Sequence, residues 1–179
     1  PAAVEGRVRR AKAGAWTADL EPDGKAGGAL LRVGLIGIGH GATLLQANLP
    51  EQDGLGMRVT ALCDIDEPQL SASATKYGVD ATTTDYTELV ERDDIDIVGI
   101  YSPGPVHAGQ ILAALEAGKH VMVTKSMVYS MEEAEQVVEA VDRTGLVLLV
   151  TQTMRGDAKH MESKRLCDSG AIGDLFLAE

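Results

Sequence analysis

The 179-residue chain has little cysteine, little positive charge and no long apolar run, and each shortage narrows what it can be. Cysteine occurs only at Cys63 and Cys167, without metal-ligand spacing, so neither a disulfide framework nor a thiolate metal site is expected and a reducing compartment fits. Lys and Arg number 16 against 27 Asp and Glu, a net charge of -11, and that field repels polyanions. Neither nucleic acid nor a membrane surface is therefore expected as a partner. No stretch approaches the ~18 apolar residues that span a bilayer, and the N-terminal segment lacks the apolar centre of a signal peptide. Arg9-Arg10 is similar to a twin-arginine signal, but the residues up to Gly28 are Ala and Gly interrupted by Asp19, Glu21, Asp23 and Lys25. The expected location is cytoplasmic. His40, His120 and His160 do not cluster with acids or other ligands, and no metal is expected.

Residues 1–30 read as an extension rich in Ala, Gly and charge, with a possible short helix at 4–15 and a basic, solvated cluster of Arg7, Arg9, Arg10 and Lys12. From Leu31 onward short apolar runs alternate with helical patterns, the signature of βα units around a parallel sheet. Strands are expected at 31–37, 57–64, 79–83, 95–101, 120–124 and 146–151. Helices are expected from about Gly41 to Leu49, after Asp66 with Leu70, Ala74 and Tyr77 on one face, at a short capping box Asp85-Tyr86-Thr87-Glu88, and after Pro105 with a stripe of Ala108, Ile111, Leu112 and Leu115. Gly78 and Gly118 are expected to end the second and fourth of these. A second capping box, Ser130 to Glu133, opens a helix with Ala134, Val137, Val138 and Val141 inward and Gly145 at its end. Six strands with intervening helices predict an α/β, doubly wound parallel sheet of order 3-2-1-4-5-6, a Rossmann fold over 31–151.

The spacing of Gly37-Ile38-Gly39-His40-Gly41-Ala42 is G-x-G-x-x-A, placed after an apolar strand and at the start of a helix. Gly37 permits a tight turn, Gly39 lets pyrophosphate approach the backbone, and Ala42 is small enough for the helix to pack on the strand. The amides opening that helix, from Ile38 through His40 and Gly41, face the phosphates, where the helix dipole favours negative charge. Asp64 ends the second strand roughly 25 residues beyond Gly39, close to the ~20 expected of an acid that binds the ribose hydroxyls. Asp66 is better placed to cap the next helix, which leaves Asp64 for the ribose. Its carboxylate repels a 2′-phosphate, so the cofactor expected is NAD rather than NADP.

At Ser102-Pro103-Gly104-Pro105-Val106-His107 and Ala114-Leu115-Glu116-Ala117-Gly118-Lys119-His120-Val121 the sequence resembles the glucose-fructose oxidoreductase, inositol dehydrogenase and MocA family, from about Arg32 to the end. The family's next marker is Glu-Lys-Pro; here Thr124-Lys125-Ser126 keeps the lysine and loses both neighbours. The resemblance implies that Lys125 sits beside the nicotinamide and hydrogen-bonds the substrate hydroxyl, where an ammonium stabilises developing alkoxide charge. Thr124 replaces some of the glutamate's hydrogen bonds but none of its charge. His107 is implied to line the cofactor cleft, with a packing role as the alternative, and Ser102 and Pro103 to shape the loop beside the cofactor. Tyr101 reads as a strand residue without chemistry.

Gln152 to Arg155 and the run 169–175 resemble the family's link into a second domain, so 152–179 are expected to hold a linker helix at about 157–168, with Met161 and Leu166 against the sheet, and a first strand at 174–179. In that family the second domain completes the substrate pocket and the oligomer surface. Two functions follow: an NAD(P)-dependent oxidoreductase, NAD being the favoured cofactor, moving hydride to or from a secondary alcohol of a sugar, inositol or glycoside, or a dinucleotide-binding module inactive alone that serves as a subunit or regulator.

Overall fold

The computed structural model describes residues 30–48 and 56–174. The possible helix at 4–15, residue Leu49 and most of the strand expected at 174–179 lie outside them. Six parallel strands form one sheet: β1 (Leu31–Ile36), β2 (Met57–Cys63), β3 (Ala81–Thr83), β4 (Ile97–Ile100), β5 (His120–Thr124) and β6 (Leu148–Thr151), in the order β3-β2-β1-β4-β5-β6. The order reverses between β1 and β4, which opens a crevice at the carboxyl ends of those two strands.

The helices are α1 (Ile38–Leu45), α2 (Glu67–Tyr77), α3 (Tyr86–Val90), α4 (His107–Glu116), α5 (Met131–Thr144) and α6 (Ala158–Asp168). Local chemistry sets most of their ends. Asp66 Oδ1 accepts from Gln69 N at 3.0 Å to start α2, and Gly78, left-handed at φ 65°, ends it. Ser130 and Glu133 form the full reciprocal box at α5, and Gly145 at φ 69° closes that helix. Asp85 does cap α3, accepting from Thr87 N at 2.8 Å, but no box forms: Thr83 Oγ1 donates to Glu88 at 2.5 Å and receives the Asp85 N–H. The β3 threonine outcompetes the Asp85 amide for the glutamate. Pro105 lies in a single 3-10 turn, Gly104–Val106, and α4 itself begins at His107.

Two apolar layers enclose the sheet. Val33, Leu35, Val59 and Leu62 meet Ile38 and Leu45 of α1 and Leu70 of α2; Ile36, Val98, Ile100, Val121 and Val123 meet Leu89, Ile111, Leu115, Val137 and Ala140 of α3, α4 and α5. At ~1.5–3 kcal/mol per fully buried aliphatic side chain, these layers stabilise the sheet strongly. In α5 Val137 and Ala140 are buried and Val141 packs half-buried against the same core, while Val138, expected inward, is 52% exposed. Residues three apart, 137 and 140, share the helix face that the sheet covers, and 138 is turned ~100° away.

The pairing of β1 with β2 runs Val33↔Val59 and then Gly34↔Ala61, so Thr60 is an extra, bulged residue. The bulge inverts side-chain alternation: Met57 and Val59 face the α1 and α2 layer before it, Leu62 after it. Asp64 leaves the strand in phase with Leu62. Without the bulge it would leave on the opposite face.

Met161 and Leu166 do not pack on the sheet as expected. No residue of α6 is buried, Met161 is exposed, and the helix is laced by its own ion pairs, Lys164 with Asp168 and Arg165 with Glu162. A helix that polar has no apolar stripe to bury. No helix among the described residues is long and apolar enough to cross a membrane.

Candidate functional site at the carboxyl edge of the sheet

The strand register aligns the ends that matter. Ile36 pairs with both Cys63 and Ile100, and Ile100 with Val123, so the residues that follow them, Gly37, Asp64, Tyr101 and Thr124, stand in one row along the carboxyl edge. Three strand spacings separate β2 from β5, roughly 14 Å. Residues 87 positions apart in sequence, Gly37 and Thr124, thus border one crevice.

Gly37 makes the turn out of β1. Its φ of 85° is a conformation L side chains rarely adopt, and a Cβ there would lie 2.6 Å from Ser102 N and 2.7 Å from Tyr101 C. The turn is clamped between its neighbours: Gly37 N donates to Cys63 O at 2.9 Å and Tyr101 N to Ile36 O at 2.8 Å. α1 begins at once at Ile38, three residues earlier than the sequence predicts, because Asp64 supplies an acceptor: Ile38 N donates to Asp64 Oδ2 at 2.7 Å. A Cβ on Gly39 would meet no heavy atom within 4 Å, so the backbone there is open to an approaching group. Gly41, by contrast, lies on Leu35 of β1, 3.1 Å from where its Cβ would sit. Gly41 is thus a point of close helix-to-strand approach. Nothing is described of the His40 and Ala42 side chains.

The Asp64 carboxylate was expected to be free and is half engaged. Oδ1 accepts from Asp66 N at 3.0 Å and Oδ2 from Ile38 N, which leaves each oxygen a further lone pair. Beside it, burial and the charges of Asp64, Asp85 and Glu88 push the Cys63 thiol up to about 12, which removes it as a nucleophile.

On the other side of the crevice, the loop after β4 carries Ser102, half-buried, and Pro103, exposed and extended. Ser102 Oγ donates to Gln110 Oε1 at 2.5 Å, a buried amide within the stripe of α4 that sequence reasoning passed over. His107 is 1% exposed; Nε2 lies 2.8 Å from Ser102 O and Nδ1 2.8 Å from Ser126 O, so both ring nitrogens face backbone carbonyls, and the tautomer decides which of the two a neutral ring donates to. Thr124 is half-buried at the end of β5. Lys125 follows it, exposed and without hydrogen bond or ion pair among the described residues. Burial raises the phenol of Tyr101, whose partner is the Thr151 hydroxyl at the end of β6. Among the described residues no group of three or more His, Cys, Asp or Glu could hold a metal ion.

The arrangement has known counterparts. The family model described as "Oxidoreductase family, NAD-binding Rossmann fold" matches residues 31–152. The Bacillus subtilis uncharacterized oxidoreductase YrbE is 31% identical over 144 residues, covering 80% of this chain and 42% of that protein. Inositol 2-dehydrogenase of Salmonella typhimurium is 32% identical over 152 residues, covering 82% and 44%. The solved scyllo-inositol dehydrogenase of Lactobacillus casei with bound NAD(H) and scyllo-inositol superposes with a TM-score of 0.72 at 28% identity, over 80% of this chain and 42% of that one. The chain thus spans less than half the length of the relatives it matches. By the family model, the six-stranded order and the glycine turn seated against Ser102, this chain belongs to the GFO/IDH/MocA oxidoreductase family with an NAD-binding Rossmann fold.

Proposed function

We propose that these residues form the cofactor half of a cytoplasmic, NAD-dependent dehydrogenase that moves hydride to or from a secondary alcohol of an inositol, sugar or glycoside. The observation carrying this reading is the pairing of Asp64 with Ile38 N beside an open Gly39. It supports reading Asp64 as the acid for ribose hydroxyls and Gly39 as the backbone that pyrophosphate approaches. A dinucleotide fits there. The amides at the start of α1 donate to its phosphates, helped by the helix dipole, and the remaining lone pairs of Asp64 accept from the ribose hydroxyls and disfavour a 2′-phosphate. When bound, the nicotinamide supplies a two-electron hydride carrier.

The chain's own contribution to chemistry is Lys125. Exposed at the end of β5 with no other partner described, its ammonium is available to donate to the substrate oxygen and to stabilise charge developing there. Ser102, Pro103 and Thr124 border the nicotinamide end of the crevice. Residues 152–179 are read as the link toward a second domain that completes the substrate pocket and the homo-oligomer surface. The inositol 2-dehydrogenase relatives support the polyol class.

Calorimetric titration of the chain with NADH and NADPH tests the reading. Saturable NADH binding, tighter than NADPH by tenfold or more, is expected; absence of saturable binding by either dinucleotide overturns it.

A further inference from the structure

We infer that His107 is a positioning residue that ties the loop carrying Lys125 to the loop carrying Ser102, and through it to the glycine turn. The inference rests on the dinucleotide reading only for what the tied loops serve; the tie itself is a matter of geometry. His107 is the first residue of α4, fully buried, and its ring stands between two carbonyls from different loops, Ser102 O and Ser126 O, each 2.8 Å away. Ser126 is the residue after Lys125. Ser102 is the residue whose backbone nitrogen lies against Gly37. The path Gly37, Ser102, His107, Ser126, Lys125 is therefore continuous, with a rigid aromatic ring as its central spacer. Two further contacts brace it. Ser102 Oγ donates to the buried Gln110, one turn along α4, and Tyr129, three residues past Ser126, lays its ring where a side chain on Gly104 would be.

This reassigns His107. With both nitrogens facing backbone, it offers no polar atom to a ligand, and it acts on Lys125 by fixing where the chain emerges from β5. A ring without N–H groups would leave both carbonyls facing carbon and remove the hydrogen bond that the histidine donates in this partly buried setting.

Three variants test the tie, read by backbone amide hydrogen exchange of the chain. His107→Phe fills the space without a donor, and exchange across 102–106, 125–130 or both, according to which nitrogen carries the proton, is expected to rise about three- to tenfold, as for one lost hydrogen bond, while β1, β2 and α2 stay unchanged. His107→Asn sets an amide nitrogen near the place of Nδ1 and is expected to restore protection at 125–130 alone. His107→Gln sets one near Nε2 and is expected to restore 102–106 alone. Unchanged exchange in His107→Phe, or a failure of both amide variants to protect their own segment, overturns the tie. If His107→Phe does not fold, the two amide variants decide it. NADH titration alongside separates the two readings: a chain that binds no NADH refutes the cofactor assignment, whereas the exchange pattern decides the tie with or without cofactor.

Discussion

Two glycines two residues apart in the same turn should respond to alanine in opposite ways. At Gly37 the added Cβ meets three backbone atoms, Ser102 N at 2.6 Å, Tyr101 C at 2.7 Å and Ser102 Cα at 2.9 Å, and the residue holds φ 85° and ψ 98°. Backbone in a row of paired strands has little room to retreat. Strain at such a conformation costs ~1–3 kcal/mol and overpacking a further ~1–3 kcal/mol, offset by ~0.4–1 kcal/mol from a stiffer unfolded chain. Gly37→Ala should therefore destabilise the protein by about 2 to 5 kcal/mol, and with a urea dependence of ~2 kcal/mol per molar the unfolding midpoint should fall by about 1 to 2.5 M. Gly39→Ala meets nothing and sits inside α1, where alanine is favoured over glycine by ~0.5–1 kcal/mol. The same methyl, however, occupies the space through which pyrophosphate would approach. Gly39→Ala should unfold at equal or higher urea yet bind NADH at least tenfold more weakly. Urea denaturation followed by circular dichroism and NADH titration of the folded variants separate these effects. A Gly39→Ala chain that binds NADH as tightly as the parent, or a Gly37→Ala chain of unchanged midpoint, would refute the assignment of roles within the turn.

Asp64→Asn should weaken NADH about tenfold or more, the loss of charge-assisted bonds to ribose, while NADPH is affected less; equal losses for both would sink the selectivity argument. Lys125→Met in the complete enzyme should leave NADH affinity within about threefold and lower hydride transfer by ~10²–10⁴, checked by stopped-flow absorbance with a polyol substrate; unchanged turnover rules out its role. At the opposite edge of the sheet Arg32 binds Asp96 twofold, Nε to Oδ2 at 3.0 Å and Nη2 to Oδ1 at 2.7 Å, and holds that carboxyl at about 2, below its ordinary 3.8. A lowered folded-state value means stability that is present above the unfolded value and lost as pH falls toward 2. Asp96→Asn should therefore flatten the loss of stability between about pH 4 and pH 2; a variant with the parent's acid limb would show that the pair contributes nothing there.

Much of the fold was legible because its signals are local. Asp66, Ser130, Gly78 and Gly145 act on their own helix ends, and the alternation of apolar runs with helical patterns is enough to order the strands. What misled were competitions decided by neighbours distant in sequence. Glu88 reads as the partner of the Asp85 amide until β3 brings Thr83 beside it. Val138 reads as inward until the sheet selects the face of Val137 and Ala140. Met161 and Leu166 read as core, yet Met161 is exposed and Leu166 only half-buried, and neither joins the apolar layers of the sheet. In the site, the glycine turn and Asp64 were legible from spacing, and Lys125 and His107 from resemblance. The Gln110 amide was hidden because one polar residue in an apolar stripe gives no sign of what it meets.

The sequence by itself determined the fold class, the strand order, the glycine turn and the acid 25 residues beyond Gly39, since each follows from periodicity, capping or spacing along a single stretch of chain. Tertiary structure alone decided that a bulge at Thr60 turns Asp64 toward Ile38, that Gly41 lies against Leu35 of β1, and that His107 is buried between two loops. Those outcomes depend on which backbone atoms come within 3 Å across the sheet. Periodicity says which side of a strand a residue faces, and only the register says what is waiting there.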